Sequence, residues 1–156
     1  MAAAALWLAA LLTTACDSGV ATTAFRTLPE AGWDSEDTLV FGPADTLAEG
    51  GTFAVVVSLR LPESHRYPYR ELLLAVVSHL PDTVRTDTLS FNLTEEHADL
   101  KGHGMSLRQY DFAIDTIRLE AGATPAFDIA HCMRLSPLPG IRDVGVTLRR
   151  TGHDGW

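Results

Sequence analysis

The stretch GGTFAVVVSLRLP, residues 50–62, carries the strongest structural signal in the chain. Its centre is a run of β-branched and aromatic residues, which opens on two glycines and ends at Pro62. Such a run, bounded by residues that interrupt regular structure, is typical of a β-strand. The sequence therefore predicts a strand here.

Further segments on the C-terminal side repeat these signals. In VRTDTLSFNL, Arg85 and Leu89 fall on one face, and Val84 and Thr86 fall on the other, which favours a period of two over a helix. ELLLAVVSHL and LTEEHADL also have helical propensity, so a helix is the alternative for these two segments. Strands at this spacing, divided by Gly and Pro, predict an all-β antiparallel sandwich, of jelly-roll or immunoglobulin-like type. The predicted strand segments are residues 50–62, 71–81, 84–93, 109–119, 125–135 and 143–150.

Composition limits the size and the partners of the fold. The 156 residues are 46% hydrophobic and 21% charged, which suits one packed domain. The 20 acidic and 12 basic residues give a formal net charge of −8, and no cluster of Lys and Arg offsets it. Because a phosphate backbone would be repelled, we expect no nucleic-acid partner.

The first fifteen residues have the apolar character of a secretory signal, and they are too short to cross a bilayer comfortably. Leu12-Thr13-Thr14-Ala15 followed by Cys16 resembles the lipobox of bacterial lipoproteins, in which the cysteine is acylated and becomes the mature N-terminus. A plain signal peptide with an incidental cysteine is the alternative. We predict lipidation at Cys16, and with it a lipid-anchored location in the cell envelope. The predicted organisation is a signal peptide at 1–15, a tether at 16–24, a β-sandwich at 25–150 and a tail at 151–156.

Cys132, the second cysteine, lies in the apolar segment FDIAHCMRL. This setting predicts a small buried thiol. His131 precedes it directly, and neighbours in a strand point to opposite faces, so His131 is poorly placed to activate the thiol.

No enzyme signature is present in the sequence. A Gly-x-Ser-x-Gly elbow and a phosphate-binding loop are both absent, and the six histidines lack metal-binding spacing. His97 and His103 flank Glu95, Glu96 and Asp99, and an exposed acidic loop is the favoured interpretation of that group. We therefore expect no catalytic residue, no metal and no cofactor.

Tyr67, Pro68 and Tyr69 form the most suggestive binding motif. Pro68 restricts its own φ and favours an extended Tyr67, so two tyrosines on one loop would offer a flat surface to a sugar or a partner protein. The alternative is that both rings pack over one end of the sandwich. Trp33 is a further aromatic candidate for such a surface.

Several pieces, taken in order, resemble the gliding-motility lipoprotein family called GldH. They are FRTLPEAGWDSEDTLVF at 25–41, RYPYRELLLAVV at 66–77, KGHGMS at 101–106 and MRLSPLPGIRDVGVTLRR at 133–150. The resemblance implies a secreted lipoprotein of Bacteroidetes-type bacteria, associated with the envelope machinery for gliding and protein export. It implies a non-enzymatic subunit whose partners are other envelope proteins. A carbohydrate-binding envelope lipoprotein with an aromatic platform is the alternative.

Asp-Thr followed by an aliphatic residue occurs five times. The triplet resembles the acceptor for O-linked glycans in secreted proteins of the same bacterial group, and a glycan there requires an exposed position. The alternative is that Asp ends a turn and Thr opens a strand. The candidate acceptors are Thr38, Thr46, Thr83, Thr88 and Thr116.

Overall fold

A computed structural model describes residues 19–42, 46–63, 67–93, 98–101 and 107–152. Within these ranges the regular structure consists of nine strands, and no helix is present that is long and apolar enough to cross a membrane. The strands are β1 Val20–Thr27, β2 Leu39–Phe41, β3 Gly51–Pro62, β4 Glu71–Leu80, β5 Thr83–Asn92, β6 Ala98–Lys101, β7 Leu107–Leu119, β8 Ala126–His131 and β9 Asp143–Arg150.

The strands form two antiparallel sheets that enclose one core. The five-stranded sheet has the order β1-β9-β3-β7-β6, and the four-stranded sheet has the order β2-β8-β4-β5. The pairs β4–β5, β3–β7, β2–β8 and β1–β9 are nested, as in one long hairpin rolled up on itself. This nesting is the jelly-roll arrangement. The all-β sandwich prediction is confirmed, and the strand order selects the jelly roll over the immunoglobulin-like alternative.

The core follows from the alternation along the strands. In β3, Phe53, Val55, Val57 and Leu59 point into the sandwich and are at most 1% exposed. The strands of the facing sheet and the neighbouring strand β9 contribute residues of the same kind. These include Leu72, Leu74 and Val76 of β4, Phe127 and Ile129 of β8, and Val144, Val146 and Leu148 of β9.

The outer face of the five-stranded sheet is covered by the chain's own side chains. The ring of Phe25 lies on Gly145 of the neighbouring strand, and the Arg60 guanidinium lies 3.8 Å from the centre of that ring. Beside it, the Ser58 hydroxyl donates to Asp111 at 2.5 Å. Ser58 is buried although it points outward, because this layer of side chains excludes water from it.

Arg85 confirms the predicted faces of β5. It points to the same side as the core-packed Leu89, and its guanidinium reaches Asp115 of β7 at 2.8 Å. This ion pair joins the two sheets at an exposed corner. An inward-pointing charge of this kind also discourages another strand from pairing with the edge strand β5.

Glu71–Leu80 is a strand, as predicted, and the helical alternative for it is wrong. Other expectations are corrected. Ala98–Lys101, in the second segment with a helical alternative, is also a strand. The tether at 16–24 is too long, because β1 begins at Val20 and pairs with β9. Small polar residues made 20–24 resemble a linker, yet Val and Thr suit a strand once a partner is present. Thr151, placed in the tail, is held by a bond from its N–H to the Thr52 carbonyl.

Candidate functional site at the loop end of the sandwich

Three loops meet at one end of the sandwich, which we call the motif end: residues 28–38, 67–70 and 132–142. Their positions follow from the register, which places Thr27 of β1 and Arg60 of β3 on either side of Asp143. Backbone bonds join the loops to the strands there, from Leu28 N–H to Arg142 O and from Arg142 N–H to Arg60 O, both at 2.8 Å. The segments that carry the family resemblance around Trp33, Tyr67 and Leu138 therefore converge.

Trp33 is the centre of this end and is fully buried. Its backbone exchanges two hydrogen bonds with Leu138, at 2.9 and 2.7 Å, and its indole N–H donates to the Asp37 carbonyl at 2.8 Å. Gly32 before it has φ of +109°, and a Cβ there would lie 2.8 Å from the Leu138 oxygen. Trp33 thus fastens the first loop to the last loop, and its candidacy as an exposed aromatic platform is wrong.

His131 also holds Trp33 in place. Its ring stands edge-on to the indole at 5.2 Å between centres, and its Nε2 donates to the Trp33 carbonyl at 2.9 Å. Its Nδ1 accepts from the Met133 N–H at 3.3 Å, so both ring nitrogens are used by backbone groups. This buried histidine is a structural residue.

Tyr67 is held by the same end. A Cβ on Gly140, whose φ is +87°, would lie 2.8 Å from the Tyr67 Cα, so only glycine lets the two loops approach this closely. The Tyr67 hydroxyl donates to the Glu71 carbonyl at 3.0 Å. Burial, and secondarily the neighbouring Tyr69, raises the pKa of the Tyr67 phenol well above its usual value. Tyr67 therefore remains a protonated donor that positions its loop.

Tyr69 is exposed and forms the wall of a groove of about 340 Å³, which we call the apolar groove: Tyr69, Arg70, Glu71, Leu73 and Met133. The groove forms because β4 continues to Glu71 after β8 has ended at His131. Beside Leu73 the missing strand is replaced by the chain after β8. Cys132 N–H donates to the Leu73 carbonyl at 2.8 Å, and Leu73 N–H points at the Met133 sulfur at 3.4 Å.

The groove exposes apolar side chains. Leu73 is 37% exposed and Tyr69 is 41% exposed, and Arg70 lines the groove beside them. Leu135, on the same loop as Met133, is 41% exposed as well. Among the residues that the structure describes, no three His, Cys, Asp or Glu side chains are grouped to hold a metal ion.

Cys132 differs from its expected environment. It is exposed, whereas its apolar neighbours predicted a buried thiol. The strand alternation explains this, since the preceding His131 points into the core and the next side chain points out. The expectation that His131 and Cys132 face opposite ways is confirmed.

Some predicted site residues are described and others are not. All five candidate glycan acceptors are exposed, as a glycan requires: Thr38, Thr46, Thr83, Thr88 and Thr116. Glycosylation at these residues stays a prediction. Cys16, residues 102–106 of the glycine-pair motif, and His97 and His103 lie outside the described residues.

Sequence reasoning did not identify Leu73 and Met133 as residues that line this groove. A signal for Leu73 was present, because the middle residue of three leucines in a strand must point away from the other two. For Met133 no such signal exists, since its position depends on where β8 ends beside β4.

Comparison with known proteins places these features in a family. The sequence profile of the GldH lipoprotein family matches residues 20–148, which begins at the first residue of β1 and ends in β9. A search of curated proteins found no match. Because the matched region spans all but the last two residues of the nine strands and most of the chain, the protein belongs to the GldH lipoprotein family.

Proposed function

We propose that the protein is a non-enzymatic subunit of an envelope apparatus for gliding motility and protein secretion, and that it binds a partner protein through the apolar groove. Family membership makes it a gliding-motility-associated lipoprotein, lipid-anchored at the cell envelope. The observation that carries the partner-binding role is the exposed surface of Tyr69 and Leu73, beside loops that Gly140 and Trp33 hold in place. Contiguous exposed apolar residues, when rimmed by polar ones, are a feature of interaction sites.

The position of Gly19, which directly precedes β1, supports the partner-binding role of the motif end. The Gly19 carbonyl accepts from the Arg150 N–H, at the end of β1 opposite to the motif end. Cys16 lies three residues earlier and so within about 11 Å of Gly19. The eight residues of β1 span about 26 Å. An anchor at Cys16 therefore puts the motif end on the far side of the domain from the membrane, where it meets other envelope proteins.

The anchor itself is tested by mass. We expect the N-terminal peptide of the mature protein from native membranes to begin at Cys16 and to carry acyl chains. The control Cys16→Ser should move the protein from the membrane fraction to the soluble fraction, because the loss of the acyl chains removes the anchoring free energy. An unacylated Cys16 in membrane-bound protein would rule out this anchor.

The groove is tested by Leu73→Asp in the chromosomal gene, scored by colony spreading and by the amount of exported protein. A carboxylate at the centre of an apolar contact should weaken partner binding by about thirtyfold or more, as at other interface hot spots. Since the Leu73 side chain is partly exposed, the protein level should stay normal. The matched control is Val20→Asp, an equally exposed apolar residue at the opposite end.

Deletion of the gene gives the lowest colony spreading and the lowest protein export against which the variants are compared. The groove assignment fails if Leu73→Asp cells spread and export like the wild type while the deletion strain does neither. The functional assignment fails if the deletion strain itself glides and exports normally.

A further inference from the structure

Two arginines are exposed at the end of the sandwich opposite to the motif end. We call this the anchor end, because Gly19 and the start of β1 lie there. Arg149 of β9 lies beside Val20 of β1, and Arg118 of β7 lies beside Thr52 of β3. Both arginines are exposed, and neither forms an ion pair with a carboxylate of the residues that the structure describes.

Both arginines belong to the outer face of the five-stranded sheet. In β3 the core residue Phe53 separates Thr52 from Ala54, so these two residues and the residues paired with them point outward. Arg118 pairs with Thr52 on one side of β3, and Arg149 pairs with Ala54 on the other side. From two strand spacings and the rise of two residues, the Cα atoms of the arginines are about 12 Å apart. We call this surface the basic patch: Arg118, Arg149 and the exposed Thr52.

The described carboxylates of the anchor end leave the basic patch unpaired. Glu49 accepts from Arg150 at 3.3 Å, and the guanidinium of Arg150 lies over the core ring of Phe53 rather than on the outer face. Asp82 lies in the turn between β4 and β5, on the other sheet. Glu120 directly follows β7 and forms no ion pair with the described arginines. Two positive charges thus stay exposed together on a chain whose net charge is −8.

We propose that the basic patch binds the phosphate groups of an anionic membrane surface and so fixes the orientation of the anchored domain. Cys16 lies within about 11 Å of Gly19, and the next residue, Val20, pairs with Arg149, so an anchor at Cys16 brings the patch to the lipid headgroups. Guanidinium groups bind phosphate oxygens strongly. Arginines about 12 Å apart reach two separate phosphates more readily than they enclose one, which suits a surface of many headgroups.

The net charge of −8 does not oppose this orientation, because the lipid anchor of the proposed function, on which the inference rests, already holds the domain at the membrane. An anionic surface repels the acidic sides of the domain and attracts the patch, so the distribution of charge decides which side faces it. Near such a surface each arginine shifts an equilibrium about fivefold. Two arginines give about 25-fold, which is too little to recruit a free acidic domain and enough to orient an anchored one.

The basic patch lies diagonally opposite to the apolar groove. The patch is at the anchor end on the five-stranded sheet, whereas Leu73 of the groove is at the motif end and points outward from the four-stranded sheet. A tether of about 11 Å by itself would let the domain lie on any side. With the patch on the headgroups, the groove points away from the membrane, where a partner protein can reach it.

Quenching of a dye by vesicle headgroups tests the orientation. Full-length acylated chains carry Cys132→Ser, which removes the exposed thiol, and one new cysteine that is labelled with a fluorescent dye. This cysteine is Thr116→Cys, beside the patch, or the matched Thr86→Cys. Both threonines are exposed on outer faces of opposite sheets, three residues from the strand terminus at the anchor end. The vesicles contain equal parts of phosphatidylcholine and phosphatidylglycerol, with a trace of a lipid that carries a nitroxide on its headgroup.

In these vesicles the dye at Thr116→Cys should be quenched strongly and the dye at Thr86→Cys weakly. Vesicles of phosphatidylcholine and the nitroxide lipid alone should quench both dyes alike. Arg149→Glu should lower the ratio of patch-bound to other orientations about 25-fold, because it changes the patch by two charges. Arg134→Glu, the same change at an exposed arginine of the motif end, should alter this ratio little. Inorganic phosphate should compete no better than chloride of equal ionic strength.

Equal quenching of the two dyes in phosphatidylglycerol vesicles, by chains that float with the vesicles, would overturn the orientation. An equal effect of Arg149→Glu and Arg134→Glu would also overturn it, because net charge rather than the patch would then be responsible. Stronger competition by phosphate than by chloride would assign the patch to a soluble anion instead of the membrane. Chains that do not float with the vesicles would contradict the anchor itself, and the orientation would fall with it.

Discussion

Replacement of Trp33 by alanine should lower the free energy of unfolding by about 3–5 kcal/mol, because it empties the space of a fully buried aromatic side chain. The change also removes the indole donor to the Asp37 carbonyl and the ring that stands against His131. Denaturant unfolding of the purified protein, followed by far-ultraviolet circular dichroism, measures the loss.

Trp33→Phe is the matched control for this variant. It keeps much of the ring volume and loses the indole N–H, so we expect a smaller loss, about 1–2 kcal/mol. If Trp33→Ala unfolds within about 1 kcal/mol of the wild type, Trp33 does not hold the loops together. The same result would remove the basis for a rigid motif end.

Replacement of Gly140 by alanine should have the second large effect. The residue has φ of +87°, and the added Cβ would lie 2.8 Å from the Tyr67 Cα and 2.9 Å from its N. Neither backbone atom can turn aside as a side chain would. We expect the strained φ and the overpacking together to lower the free energy of unfolding by about 3 kcal/mol. Because the clash pushes on Tyr67, we also expect the cells to lose gliding as the Leu73→Asp cells do.

Gly122→Ala separates the two causes of the loss of stability, which are the strained φ and the overpacking against Tyr67. Gly122 has a similar φ of +83°, and a Cβ there would meet nothing within 4 Å. This variant carries the backbone strain alone, so it should lose about 1–2 kcal/mol and keep gliding. Equal losses in the two variants would show that the contact between Gly140 and Tyr67 contributes nothing.

Sequence patterns located the strands well where the alternation is strong. Residues 50–62 predicted β3, observed at Gly51–Pro62, and residues 143–150 predicted β9 with its observed bounds. Strand β1 was missed because residues 20–24 are small and polar, and their strand conformation depends on pairing with β9, more than a hundred residues later. Such pairing leaves no local pattern, which also explains why the three-residue β2 was missed.

The candidate site was predicted in part. Tyr67-Pro68-Tyr69 was recognised from its composition. The two rings lie edge-on with centres 5.7 Å apart, and the structure leaves Tyr67 half-buried and Tyr69 exposed. Trp33 was considered as an exposed platform, although it is the most deeply buried aromatic residue of the loops. An isolated aromatic residue between polar ones carries no signal of which way its loop folds over it.

Local patterns were therefore enough to predict the class of the fold, because alternation, β-branched runs and Gly or Pro boundaries act over a few residues. The nesting of the strands as a jelly roll and the meeting of three distant loops at one end could be seen only in the folded chain. The extension of β4 past the end of β8, which opens the apolar groove, is a further feature of this kind. These features depend on pairing between strands far apart in the chain, and the free energy of that pairing belongs to the assembled sheets rather than to any one segment.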